Sequence, residues 1–214
     1  MYDGVPGLCN TTVQYGVRPA AARPREARPS TLGPDPNRPG RRPAPQPNGT
    51  AVTISDLPRV HIATDHAGME LSAHLVSHLS AKGYEVVDHG PKVYDALDDY
   101  PSFCINAALA VVADQEAGTH ALGIVLGGSG NGEQIAANKV KGVRAALAWN
   151  LSTAQLAREH NDANVVAVGG RQHSVDEATE IIEAFLAEPF SNDERHVRRI
   201  GKIATYERTG EVID

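Results

Sequence analysis

Between residues 59 and 170, five short apolar runs recur, and each is followed by a polar loop and then by a segment with helical spacing. The runs are RVHIAT (59–64), YEVVDHG (84–90), ALGIVLG (121–127), VRAALAW (143–149) and NVVAVGG (164–170). The intervening segments place apolar residues three or four apart, as with Leu71, Leu75, Val76 and Leu79. Two further helical segments close the chain, SVDEATEIIEAFLAE and NDERHVRRIGKIATYER. Strands separated by helices cannot pair as hairpins and must run parallel, with helices on both faces. The expected fold is therefore α/β, a three-layer Rossmann-like (flavodoxin-like) domain with a five-stranded parallel sheet and an additional C-terminal helix. Ligands of such sheets sit beyond the carboxyl ends of the strands, near the point where strand order reverses. The loops DHAG (65–68), HGPKVYDALDDYP (89–101), GGSGNGEQ (127–134), WN (149–150) and GGRQHS (169–174) are thus where function is expected.

The first fifty-odd residues break this pattern. They hold ten of the 14 prolines, and seven arginines face only Asp3, Glu26 and Asp35, a balance of +4. The remainder sets 13 basic against 23 acidic residues, a balance of −10. A segment with so few spaced apolar residues cannot offset its chain entropy, so residues 1–57 are predicted to be a disordered extension and 58–214 the folded domain. The extension is Arg-rich and acid-poor, as transit peptides are, but its prolines oppose an amphipathic helix. An acidic folded part argues against nucleic acid as the main partner. No apolar run reaches the roughly 20 residues of a membrane span. Cys9 and Cys104 suggest no disulfide framework, so a reducing, cytoplasmic setting is expected.

The loop after the third run carries the most chemistry. Gly128, Gly130 and Gly132 alternate, which is neither the dinucleotide spacing G-x-G-x-x-G nor a G-K-[ST] phosphate loop. What remains is a nest of backbone N–H groups at a helix N-terminus, suited to an anion or an oxyanion. Glu133 lies in that helix's first turn, where the dipole favours any carboxylate. A base beside such a nest is also equipped to take a proton from carbon next to a carbonyl. Asp65 either caps the next helix or works with His66 on substrate hydroxyls. His160 either meets a helix C-terminal dipole or serves a substrate oxygen. Arg195 and Arg199, four apart on one helix, form either a solvated basic face or a phosphate clamp, and Arg171 stands after the fifth strand. No metal site is expected: His74 and His78 are four apart, but nothing else follows with ligand spacing. Ser129 lacks the G-x-S-x-G context of a hydrolase nucleophile.

Taken together, DHAG, DDYPSFC, GGSGNGEQIAANKV, REHND, GGRQH and RHVRRI resemble the type B ribose-5-phosphate isomerases, which are grouped with the galactose-6-phosphate isomerase subunits. The likeness covers nearly all of residues 59–210. One branch of that family has Cys-Gly-Thr-Gly at the loop and a cysteine base. Here Gly127 and Ser129 occupy those positions, and the chain resembles the other branch, whose base is the glutamate. The resemblance implies interconversion of ribose 5-phosphate and ribulose 5-phosphate in the non-oxidative pentose phosphate pathway. It implies Glu133 as base, His160 with Asp65 as ring opener, and Ser129 with the N–H groups of Gly128, Gly130, Asn131 and Gly132 around an enediolate. Tyr100 and Asn161 would orient hydroxyls, and Arg171, Arg195 and Arg199, with His66, would hold the phosphate. No cofactor is implied, because the substrate's carbonyl is the electron sink. A homodimer is implied, with its active site between subunits and the His and Asn of REHN reaching in from the partner. Open alternatives are another sugar phosphate (allose 6-phosphate, galactose 6-phosphate or a four-carbon ketose phosphate) and a non-catalytic flavodoxin-like ligand-binding module.

Overall fold

The computed structural model describes residues 57–214, so the expectation of a disordered extension falls, but for Leu57, outside the described residues. Among the described residues, five strands form one parallel sheet: β1 (Arg59–Ala63), β2 (Val86–Asp88), β3 (Ala121–Gly127), β4 (Ala145–Leu147) and β5 (Val165–Gly169). Their order across the sheet is β2-β1-β3-β5-β4. The flavodoxin arrangement would continue β3-β4-β5; here β5 lies inside and the three-residue β4 takes the edge. From β1 the chain moves outward to β2, then returns across β1 to β3. The order therefore reverses between β1 and β3, and the loops following those two strands flank the crevice where a ligand is expected.

Six α-helices among the described residues cover the sheet: α1 (Met69–Ala81), α2 (Tyr100–Glu116), α3 (Asn131–Ala137), α4 (Leu151–Asn161), α5 (Val175–Ala187) and α6 (Glu194–Thr209). Because strand side chains alternate, each inner strand supplies both faces. Leu122, Ile124 and Leu126 of β3 and Val166 and Val168 of β5 pack with Leu75 and Leu79 of α1 and with Ile182 and Phe185 of α5. Val125, Val165 and Ala167 face the opposite way, onto Cys104, Ala107, Ala108 and Val111 of α2 and onto α3. That second layer is built of small residues, so α2 lies close to the sheet. A β-carbon at Gly123 would come within 3.0 Å of Val111 Cγ2.

Local sequence explains the helix starts. Ser174 and Glu177 form a capping box on α5. On α4 the cap is Asn150, whose side chain accepts from the Thr153 N–H and is paired with Thr153 in a second capping box. The open edge of β4 is closed by a side chain. Asn138 accepts from the Ala145 N–H at 2.9 Å and donates to its carbonyl at 2.9 Å, imitating a neighbouring strand.

At the amino side of the sheet, Asp114 of α2 lies 2.9 Å from His61 Nε2, and His61 Nδ1 lies 2.9 Å from His89 Nε2. The carboxylate can only accept, so His61 donates from Nε2 and accepts from His89. The His61 bond, with help from Arg59, holds the Asp114 carboxyl below its usual range.

Candidate active site

Strand β3 ends on Gly127, and the chain turns at once into α3. Gly130 makes that turn with φ +79°, and a β-carbon there would stand 2.7 Å from Leu147 Cδ1. Both conditions require glycine. The turn is bonded to the loop after β5: Gly170 N–H donates to Gly127 O at 2.8 Å, and Arg171 N–H to Gly128 O at 3.2 Å. These bonds lay the Arg171 side chain over Gly128, with Cδ 3.6 Å from where a β-carbon would be. Ser129 Oγ accepts from the backbone and side-chain nitrogens of Asn131 at 3.3 and 3.2 Å. With those acceptor sites taken, the Ser129 O–H is left to donate outward.

Glu133 occupies the first turn of α3 and is only 4% exposed. Its carboxylate lies directly on the Gly127 backbone, and any β-carbon at Gly127 would overlap it. Oε2 is buried and has no hydrogen-bond partner. Burial pushes the Glu133 carboxyl above its ordinary range, and the Asp65 charge adds to this, while backbone N–H groups oppose it. A carboxylate poor in hydrogen bonds, kept in a crevice at the end of a strand, has the character of a proton acceptor rather than of a structural ion. Gly127→Ala is expected to fold normally by circular dichroism, because β3 is extended there. It is expected to lose activity by about 100-fold through displacement of the Glu133 carboxylate; unchanged activity would show that the carboxylate's seat is immaterial.

Beyond β1, Asp65 Oδ1 accepts from the Ala67 N–H at 2.9 Å, so the capping reading of this residue holds, and the side chain stays buried next to Glu133. His66 follows, half-buried. Its Nδ1 lies 2.7 Å from Asp98 Oδ1, which also accepts from the His66 backbone N–H at 3.1 Å. Tyr100 opens α2, with Pro101 in its first turn, and its ring lies flush on Gly132, where a β-carbon would be 2.6 Å from the hydroxyl. Cys104, beneath this group, is pushed up to about 12 by burial and by the nearby Glu133 and Asp65 charges. A thiol so raised is a poor source of thiolate. A cleft of about 380 Å³ opens beside the nest, between Ser129, Asn131, Trp149, Gln172 and His173.

The remaining expected residues lie elsewhere. In a parallel sheet, α4 starts at the carboxyl edge and runs back. Its 11 residues carry His160 and Asn161 about 16 Å toward the amino edge. Arg144, just before β4, donates to the Asn161 carbonyl there at 2.9 Å. His160 packs on His196 of α6 with ring centroids 4.3 Å apart, and Arg195 and Arg199 are exposed on that same helix. A single chain therefore does not bring Arg195 and Arg199 together with Arg171 and His66 into one clamp, nor His160 together with Asp65. It presents two separate groups: Asp65, His66, Tyr100, the 128–132 loop, Glu133 and Arg171 at the carboxyl edge, and His160, Asn161, Arg195 and Arg199 at the amino edge.

Among the described residues, one trio, Asp65, His66 and Asp98, has metal-compatible spacing, with its ligand atoms within 4.8 Å of one another. Two of those donors are already engaged, His66 Nδ1 by Asp98 and Asp65 Oδ1 by a backbone N–H. His78 has a carboxylate partner after all, Glu183 at 2.6 Å from another helix, which also takes Lys82. This makes the His74–His78 face a helix-to-helix tie.

Residues 60–203 match the family described as Ribose/Galactose Isomerase. The chain belongs to that family. Ribose-5-phosphate isomerase B of Mycobacterium tuberculosis (strain ATCC 25618 / H37Rv) is 56% identical over 153 residues, covering 72% of this chain and 92% of that protein. The fold is similar to the crystal structure of ribose-5-phosphate isomerase B from Mycoplasma genitalium with bound ribulose-5-phosphate: TM-score 0.66, 42% identity, 71% of this chain and 97% of that one. It is equally similar to the Trypanosoma cruzi type B ribose 5-phosphate isomerase, with TM-score 0.67, 41% identity and coverage of 72% and 99%. Asp98, which holds His66 at the carboxyl edge, was not singled out by the sequence, nor were Trp149, Gln172 and His173 of the cleft. The only local signal for Asp98 was an acid pair ahead of α2, and Asp99, the residue in the cap position, makes no capping bond.

Proposed function

We propose that this chain is an aldose–ketose isomerase that interconverts D-ribose 5-phosphate and D-ribulose 5-phosphate through a cis-enediolate, with Glu133 as the base. The observation that carries this reading is the Glu133 carboxylate: buried, partnerless at Oε2 and seated on Gly127 beside an N-terminal nest. Family membership and a relative solved with ribulose-5-phosphate support the choice of sugar. The phosphate is gripped at a distance from the chemistry by Arg171 and, across a subunit boundary, by Arg195 and Arg199. That grip positions the reacting carbons. His160 protonates the ring oxygen and opens the furanose, aided by Asp65. Glu133 then takes the C2 proton, and the C1 carbonyl becomes the oxyanion. The backbone N–H groups of 128–132 and the Ser129 hydroxyl stabilise that charge. Glu133 returns the proton to C1 while the hydroxyl proton passes from O2 to O1. Tyr100 and Asn161 orient the hydroxyls.

The working unit in this reading is a homodimer, because the two residue groups stand at opposite edges of one sheet. The surface supports it. Helix α6 buries only His196 among its residues, while Val197, Ile203 and Tyr206 remain at least half exposed. An amphipathic helix with its apolar side uncovered fits a subunit contact. A cytoplasmic role in pentose phosphate interconversion accords with the likeness. The deciding assay follows ketose formation from ribose 5-phosphate and compares kcat/KM with allose 6-phosphate and erythrulose 4-phosphate. Ribose 5-phosphate is expected to be the best substrate; a higher value on another sugar would reassign the specificity.

A further inference from the structure

The geometry points to Asp98 as a positioning residue that aims His66 at the substrate's phosphate, an inference that rests on the isomerase reading. Asp98 belongs to the loop between β2 and α2, 32 residues from His66 in sequence, yet one of its oxygens takes both N–H groups that His66 can turn toward it. A carboxylate only accepts, so the bond fixes His66 with its proton on Nδ1. Nε2 is left as the nitrogen that the bond to Asp98 does not use. When the ring is cationic, Nε2–H donates to a phosphate oxygen, and Asp98 is the counter-ion behind it.

The other oxygen of Asp98 argues that stability is not its purpose. The side chain is 10% exposed, and Oδ2 is buried with no hydrogen-bond partner. Among the described residues, His66 is the only ionic partner of Asp98. Leaving a buried carboxylate half-satisfied costs stability, and such a group calls for another explanation. The surroundings supply one. Asp65 and Asp98 flank the same imidazole, and a phosphate brought there without His66 would face two carboxylates. The ring is the group that separates those charges from the substrate, and Asp98 keeps it in that position. Tyr94 adjoins His66 as well, the two rings T-shaped with their centroids 6.1 Å apart.

The test combines steady-state kinetics of D98N, D98A, H66A and the D98A/H66A double variant with thermal melting and with imidazole ¹H–¹⁵N correlation spectra. D98A is expected to raise KM for ribose 5-phosphate by about tenfold, with kcat within about threefold. Its melting temperature should equal or exceed that of the wild type. D98N, whose side-chain oxygen still accepts, should recover part of the loss. In the double variant KM should be no higher than in H66A alone, because Asp98 acts through His66. The His66 ring should be Nδ1-protonated in the wild type and lose that bias in D98A. An unchanged KM in D98A, or effects of D98A and H66A that multiply, would overturn the proposal. If the wild type does not isomerise ribose 5-phosphate, the isomerase reading itself falls. The Asp98–His66 pair is then judged by the spectra and by titration with inorganic phosphate, where equal affinity in wild type and D98A would also remove it.

Discussion

Glu133→Gln is expected to lower kcat for ribose 5-phosphate by about 10²–10⁴-fold, the usual contribution of a well-placed general base. The substitution keeps the size and shape of the side chain on Gly127 and removes only its ability to take a proton. KM should change little, because the phosphate is held by arginines and not by this carboxylate; an interaction made only in the transition state lowers kcat and kcat/KM together. The same variant should be more stable than the wild type at neutral pH. The Glu133 carboxyl is raised above its ordinary 4.5 in the folded state, chiefly by burial. Between 4.5 and the raised value the native protein holds a proton that the unfolded chain has released, so stability falls as pH rises through that window and stays lower above it. Glutamine escapes this loss. Melting curves of the two proteins should therefore diverge as pH rises and converge below 4.5. Catalysis follows the opposite sign: the base must be ionised, so wild-type kcat should fall as pH drops, with an inflection above 4.5. Wild-type turnover in E133Q would remove Glu133 as the base. An inflection at the ordinary carboxylate value would show that burial does not tune it.

The fold was legible in the sequence because short apolar runs and segments of helical period took turns from Arg59 to Gly169. The carboxyl-edge group was legible for the same reason: a loop that directly follows a parallel strand must emerge at that edge, as those after β1, β3 and β5 do. Two things were not legible. Strand order is set by packing between elements distant in sequence, so nothing local shows that β5 enters the sheet inside β4. The Asp98–His66 bond likewise spans 32 residues and leaves no periodic trace. The position of His160 and Asn161 is a different case. They close a helix that returns from the carboxyl edge, and helix length alone puts them at the far side. The end at which each residue stands in its element thus separates the REHN segment from Arg171 in the sequence itself.

That separation leads to the second large effect. If one active site takes Glu133, Arg171 and His66 from one subunit and His160, Asn161, Arg195 and Arg199 from its partner, then E133Q and H160A should each be nearly inactive alone and active together. In a heterodimer of the two, one site combines both lesions and is dead. The other combines the intact Glu133 of the H160A chain with the intact His160 of the E133Q chain. Random pairing makes half of the dimers mixed, each with one working site of two, so co-expressed chains should recover about a quarter of wild-type activity. Separate tags on the two chains allow the mixed dimer to be purified, and its specific activity should approach half that of the wild type. The recovered sites should keep the wild-type KM, since every group that touches substrate in them is native. E133Q paired with R171A gives the control. Both lesions lie at the same edge, so in the mixed dimer each falls in a different site and no site is intact. Equal recovery with R171A would place Glu133 and Arg171 in different sites, and no recovery with H160A would mean that each subunit works with its own residues. Helix α6 would then have to move a long way to deliver its arginines. The bond from Gly142 N–H to the Glu207 carboxylate, 3.0 Å to each oxygen, ties the far end of that helix to the loop before β4 and opposes such a movement.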